Sequence, residues 1–296
     1  MTPDVDSSGS LNADLDGTIT ALAPTLAALL GVDSPVIFHA APVRKLLEAA
    51  GAALGNEHAR RCLIYAPDAF GLHLAGPASC LFDQIRKVAP VEVRLRSMRP
   101  SKTPVCFASM FTGAPPEVHG IRRYERPALT CDTIFDVVLR AGKRVAIVAV
   151  EGCSMDLIFR GRAIDYFSED YDPEVTEATL GVLQLDRHDL VVAYHQEYDD
   201  LLHETTPFSP RALRAAERHV ESFRRMARVA HRAWRRHPHA VVFAPDHGAV
   251  LDPATGKGTH GGDSPDEMNV AHFWGFRRGR KTGKEASKGA EDEQSI

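Results

Sequence analysis

The sequence lacks a surplus of positive charge, a long apolar run and paired cysteines, and each absence removes a class of protein. With 35 Lys and Arg against 39 Asp and Glu, the formal net charge is −4. No overall positive field exists to hold a nucleic acid polymer or an anionic membrane. The longest apolar stretch near the start, residues 19–32, is interrupted by Thr20, Pro24 and Thr25 and is too short to cross a bilayer. Asp4, Asp6, Asp14 and Asp16 precede it, where an export signal carries positive charge. The 5 cysteines are odd in number and have no paired spacing, which points to reduced thiols in a cytoplasmic protein rather than a disulfide frame. Internal repeats and long Pro- or Ser-rich linkers are missing as well.

What remains is an ordinary globular composition, 44% hydrophobic and 25% charged over 296 residues, with 14 histidines as its one oddity. Residues 1–10 and the charged tail 277–296 have little apolar content and are expected to be disordered, leaving 11–276 as a single domain. Helical patterns at 24–30, 42–54, 77–88, 104–111, 132–141 and 176–183 alternate with apolar runs at 62–66, 91–98, 144–150, 190–194 and 240–244. That alternation predicts an α/β fold. The clearest element is a helix face in which Leu213, Ala216, Val220, Phe223, Ala227, Ala230 and Trp234 recur at steps of three and four. The same helix carries Arg211, Arg214, Arg218, Arg225, Arg228, Arg232 and Arg235, interrupted by Glu217 and Glu221 and with no aromatic platform beside them. A solvated outer face accounts for them better than a nucleic-acid surface.

In α/β sheets functional side chains gather where strands end, and here the polar residues at those ends are of one kind. Asp68 follows the strand at 62–66. Asp199 and His203 follow the strand at 190–194. Asp246, His247 and Gly248 follow the strand at 240–244, and a glycine-rich loop then brings His260. Three carboxylates and three imidazoles suit borderline divalent metals, and shared between two ions about 4 Å apart they make a clamp for displacement at phosphorus. Asp199 and His203 stand four apart, on one face of a helical turn, with Asp200 as the alternative if the register slips. Singly, each residue has a plainer account. Asp68 suits a turn, Asp246-His247-Gly248 a tight turn with glycine at positive φ, His203 a helix cap and His260 a flexible loop. Their conjunction at successive strand ends is what chance does not readily supply. Thr103, just before Pro104, is expected at the N-cap of a helix, its hydroxyl at the positive end of the dipole, as a nucleophile or as a plain cap.

The order of these motifs resembles the alkaline phosphatase superfamily and, within it, the nucleotide pyrophosphatase/phosphodiesterase-like branch. The likeness runs from Asp68 through Thr103-Pro104 and Phe111-Thr112-Gly113-Ala114-Pro115-Pro116-Glu117-Val118-His119-Gly120-Ile121. It continues through Asp199 and His203, Asp246-His247-Gly248 and Gly258-Thr259-His260-Gly261-Gly262 to Met268. The resemblance implies a three-layer sandwich with a mostly parallel central sheet and helices on both faces. It also implies two divalent metals, zinc or else manganese, one held by Asp199, His203 and His260 and the other by Asp68, Asp246 and His247, with Thr103 bridging to the phosphoryl group. The implied activity is hydrolysis of a small phosphate ester, monoester or diester, through a phosphothreonine intermediate. A phosphotransferase or mutase of the same superfamily, or a metal-binding interaction protein, are the alternatives. Cys106 stands where nucleotide pyrophosphatases commonly carry an asparagine, and residues 106–110 do not supply the Cys-x-Pro-x-Arg of formylglycine sulfatases. The stretch from Thr103 to Asp199 is too short for the large cap of the mutases, and only a short loop separates His247 from His260. An open site is therefore expected.

Overall fold

The computed structural model describes residues 15–33 and 37–280. Residues 1–10 and the tail from 281 on, both expected to lack order, lie outside the described residues. Among the described residues there are ten strands: β1 (Gly17–Thr18), β2 (Arg61–Pro67), β3 (Val91–Arg96), β4 (Val145–Val150), β5 (Asp165–Glu169), β6 (Leu190–His195), β7 (His239–Phe243), β8 (Val250–Asp252), β9 (Lys257–Thr259) and β10 (Asn269–Arg277). Eight of them form one sheet in the order β1-β3-β10-β7-β2-β6-β4-β5, and β8 and β9 make a separate hairpin. Every pairing in the large sheet is parallel except those of β10 with β3 and β7. The strands β2, β4, β6 and β7 are apolar almost throughout and buried, as parallel strands covered on both faces must be.

The described residues also form eleven α-helices: α1 (Leu22–Leu30), α2 (Arg44–Leu54), α3 (Ser79–Arg86), α4 (Thr103–Thr112), α5 (Pro116–His119), α6 (Ile134–Arg140), α7 (Ser154–Ile158), α8 (Asp172–Leu185), α9 (Glu197–Glu204), α10 (Pro210–Ala233) and α11 (Pro265–Met268). Helices α3, α8, α9 and α10 pack together on one face, and α1, α2, α4, α6 and α7 on the other. The result is the expected three-layer α/β sandwich, and among the described residues no large cap interrupts the stretch between α4 and β6. None of the described helices is long and apolar enough to cross a membrane. All described cysteines are free.

Several expected elements shift for local reasons. The helix expected at 176–183 begins at Asp172, because Pro173 sits in its first turn and Asp172 and Glu174 favour the positive end of the dipole. The strand expected to run to residue 98 stops at Arg96. His272 lies within β10, and Arg277 closes that strand instead of opening the tail. The stretch between His247 and His260 is the β8–β9 hairpin, not a plain loop. On α10 the solvated face is confirmed by ion pairs of Arg211 with Glu204, Arg218 with Glu197, Arg224 with Glu221 and Arg225 with Glu177.

Helix α4 is buried along its whole length, as an element apolar on all sides should be. Phe111 anchors it, with its ring 4.9 Å from that of Phe135 and 5.5 Å from that of Phe159. Phe111→Ala should lower unfolding stability by about 3–5 kcal/mol through loss of buried area and the cavity left behind, measured as a lower urea midpoint with unchanged slope. A loss within experimental error would show that α4 is anchored elsewhere.

Candidate metal centre

Adjacent parallel strands deliver the site. In the registers Pro67↔His195 and Tyr65↔Phe243, β2 lies between β6 and β7, so the chain leaves all three strands on the same edge. Asp68 follows β2 directly, Asp246 and His247 follow β7, and β6 runs into α9, which carries Asp199 and His203. His260 follows β9 and is led back to the same place by the hairpin.

Two groups of three side chains result, each with its donor atoms within 4.8 Å of one another. In the first, Asp199 Oδ1 lies 3.2 Å from His260 Nε2 and 3.5 Å from His203 Nε2, and the two imidazole Nε2 atoms are 2.9 Å apart. In the second, His247 Nε2 lies 3.3 Å from Asp68 Oδ1 and 3.3 Å from Asp246 Oδ2. The rings of His247 and His260 stack at 4.1 Å and join the groups. Thr103 faces this junction, with Oγ1 3.4 Å from Asp68 Oδ1 and 3.5 Å from His247 Nε2. Thr103 is the first helical residue of α4 instead of its N-cap, a place taken by Lys102, and its hydroxyl makes no capping bond. The hydroxyl is thereby left to the site. Asp200 does not join the groups, because its carboxylate accepts from Tyr171 Oη at 2.7 Å and Gln196 Nε2 at 3.1 Å.

Whether these residues suit metal ions follows from their protons. His203 Nδ1 lies 3.0 Å from the Gly258 carbonyl, His247 Nδ1 3.0 Å from that of Gly248, and His260 Nδ1 2.6 Å from that of Ser101. A carbonyl only accepts, so each ring carries its proton at Nδ1 and turns a bare Nε2 lone pair inward. Two such lone pairs facing each other at 2.9 Å repel unless a cation or proton lies between them. Asp199 Oδ1 and Asp246 Oδ2 are buried and accept no hydrogen bond, an expensive state for a carboxylate oxygen without a positive partner. Burial first, then the charge of Asp246, pushes the Asp68 carboxyl well above its ordinary range, and burial takes Asp246 up to about 8. Positive charge on His260, then on His203 and His247, would outweigh burial and hold the Asp199 carboxyl down at about 2. Divalent cations would remove the cost for Asp68 and Asp246, since a bound ion inverts the local preference for the protonated acid. The donor set fits two such ions.

The supporting groups include several that the sequence does not flag. Tyr194 donates its hydroxyl to Asp68 Oδ2, and Ala69 N–H and His247 N–H donate to Asp246 Oδ1 at 3.2 and 2.9 Å. Gly248 does not adopt positive φ; a Cβ there would lie 2.0 Å from the Asp266 carbonyl oxygen, so the turn needs glycine for close approach. Outside the site, Cys106 Sγ contacts Ser97 Oγ at 3.1 Å, and Ser109 donates to the Val105 carbonyl at 2.9 Å. His119 Nε2 donates to Ser109 Oγ at 2.9 Å, and His73 Nε2 pairs with Tyr198 Oη at 2.9 Å. Glu197 is paired with Arg218 and does not reach the ligands. A cleft of about 280 Å³ opens over Asp68, Thr103 and Asp199, with Tyr124, Arg126 and residues 151–154 on its walls. Among the described residues Arg126 has no carboxylate partner, and it donates to the Gly152 carbonyl at 2.5 Å.

Known proteins with this arrangement can now be compared. The model of the type I phosphodiesterase / nucleotide pyrophosphatase family matches residues 82–257, more than half of the chain, and leaves Asp68 and His260 just outside. Murine ectonucleotide pyrophosphatase / phosphodiesterase 5, solved as an inactive form in complex with AMP, is 17% identical. It superposes with a TM-score of 0.50 over 66% of this chain and 59% of that one. Its human counterpart is 17% identical with a TM-score of 0.50 over 65% and 58%. Phosphonoacetate hydrolase from Sinorhizobium meliloti 1021, in complex with phosphonoacetate, is 20% identical with a TM-score of 0.49 over 64% and 57%. The chain thus spans less than two thirds of the length of each of these proteins. No curated protein matches it. By fold and by its match across residues 82–257, the chain belongs to the type I phosphodiesterase / nucleotide pyrophosphatase family.

Proposed function

We propose that the protein is a metal-dependent hydrolase of small phosphate esters in which Thr103 is the nucleophile. One observation carries this reading: at the positive end of α4 the Thr103 hydroxyl, free of any capping bond, lies against Asp68 and His247 of one three-residue group and lines the same cleft as Asp199 of the other. Asp199, His203 and His260 would hold one divalent ion, zinc or manganese, and Asp68, Asp246 and His247 the other. When bound, such ions supply positive charge to the phosphoryl oxygens and lower the pKa of a hydroxyl at the site.

The chain's own groups do the rest. Thr103 directs its proton toward Asp68 Oδ1, and its oxygen forms the bond to phosphorus while the leaving-group oxygen departs opposite with the bonding pair. Water then attacks the phosphothreonine and Thr103 Oγ1 leaves in turn. The amino end of α4 favours the anionic phosphoryl group. Arg126 and Tyr124, at the cleft wall, meet whatever the phosphorus carries as its ester group. The AMP held by the murine relative is a small phosphorus anion, the class of ligand this reading brings to the cleft.

Hydrolysis of nitrophenyl phosphate and bis-nitrophenyl phosphate, before and after chelation and with zinc or manganese restored, tests the reading. Thr103→Ala should keep its metal and its fold and lose roughly 10³- to 10⁶-fold in turnover. A variant that hydrolyses either ester at the parent rate would sink Thr103 as nucleophile. Metal analysis separates the neighbouring acids: Asp199→Asn should lose about one of two ions and Asp200→Asn neither, and the reverse pattern would move the ligand to Asp200.

A further inference from the structure

Away from the cleft, Asp172, His195 and His219 form another buried group with donor atoms within 4.8 Å of one another, beside a cavity of about 590 Å³. By composition it is a third metal site. Its hydrogen bonds exclude that. Tyr198 N–H donates to His219 Nε2 at 3.1 Å, so the His219 proton is on Nδ1 and is given to Tyr65 Oη at 3.0 Å. The Tyr65 hydroxyl then donates to His195 Nδ1 at 2.8 Å, which places the His195 proton on Nε2, 3.3 Å from Thr176 Oγ1. Thr176 passes its own proton to the Asp172 carbonyl at 3.0 Å. All four ring nitrogens are committed and no lone pair is left for an ion. Burial, which pushes both imidazoles down to about 3, keeps them neutral and the pattern fixed.

The same network ends on backbone groups that matter to the metal centre. Asp172 Oδ1 accepts from Gln196 N–H at 3.0 Å and Oδ2 from Glu197 N–H at 2.9 Å, while His219 takes Tyr198 N–H. These are consecutive N–H groups at the amino end of α9, which a helix cannot satisfy internally, and Asp199 is the next residue. No side chain on α9 or just before it caps that end. We propose that Asp172 and His219 are positioning residues of the metal centre: from α8 and α10 they fix the start of α9 so that Asp199 and His203 meet His260. The proposal rests on the reading of Asp199 and His203 as ligands.

Two substitutions at one position isolate the contact. An asparagine amide reaches where His219 Nδ1 stands and can still donate to Tyr65, but leaves Tyr198 N–H without an acceptor. A glutamine oxygen reaches where Nε2 stands and restores it. In the full-length protein, His219→Asn and Asp172→Ala should each weaken one of two cobalt(II) or zinc sites by about 10- to 100-fold, as loss of a group behind a ligand does. The change is read by competition with a chelator and by the cobalt visible spectrum. His219→Gln should recover affinity to within a few-fold. Near-ultraviolet circular dichroism and melting of the metal-free proteins show whether each variant keeps its fold. Should Asp172→Ala not fold, the comparison of His219→Asn with His219→Gln decides the matter. Parent affinity in His219→Asn, or loss in His219→Gln equal to that in His219→Asn, overturns the proposal. A third metal equivalent that disappears in His219→Asn also overturns it, in favour of an ion bound at Asp172. The ligand reading fails separately, if His203→Ala keeps its full metal content.

Discussion

His203, His247 and His260 each give their Nδ1 proton to a backbone carbonyl, of Gly258, Gly248 and Ser101. Were any of these rings free to turn, it would take whichever tautomer its surroundings favoured, and the inward nitrogen could carry a hydrogen in place of a lone pair. The carbonyls come from strand β9 and from the loops after β7 and β3, so the capacity of the centre to hold a cation is set by backbone placement as much as by side-chain identity. Asp246 is constrained in a similar way, with one oxygen held by two N–H groups and the other left bare.

That placement is a product of sheet order. Parallel strands leave a sheet on one edge, and β6, β2 and β7 are neighbours, so acids far apart in sequence leave the sheet side by side. The helix layers have different tasks. Helix α4, sunk among phenylalanines, presents Thr103 from one face, while α8 and α10 hold α9 from the other.

The parts legible in the sequence are those with local signatures. The long arginine-bearing helix announces itself by spacing, and the runs that became β2, β4, β6 and β7 by unbroken apolar character. Asp68, Thr103, Asp199, His203, Asp246, His247 and His260 were all readable as strand-end or helix-start residues, and the structure brings all seven together. What escaped depends on partners distant in the chain. Nothing near Tyr194 says that its hydroxyl meets Asp68, 126 positions away. Asp172, outside the helix expected at 176–183, and His219, within the long helix, carry no signal of their own, because the N–H groups they receive belong to another helix. β5 is a short edge strand with a polar, half-exposed pattern, which leaves little periodicity to detect. The Thr103 position moved by one residue because Pro104 tolerates any place in the first turn of a helix.

The sheet order has a bearing on biosynthesis. β10 follows every other described strand in the chain yet lies between β3 and β7, and among the described strands it alone pairs the β1–β3 ribbon to the rest of the sheet. While a nascent polypeptide is still being extended, β3 therefore has no docking edge in the half of the sheet already assembled. Closure must await translation of residues 269–277, the kind of late, sequence-distant pairing that slows folding. A ribosome-bound fragment ending before that point would carry all seven pocket residues, with α4 able to pack on α6 and α7, but on a sheet still split in two.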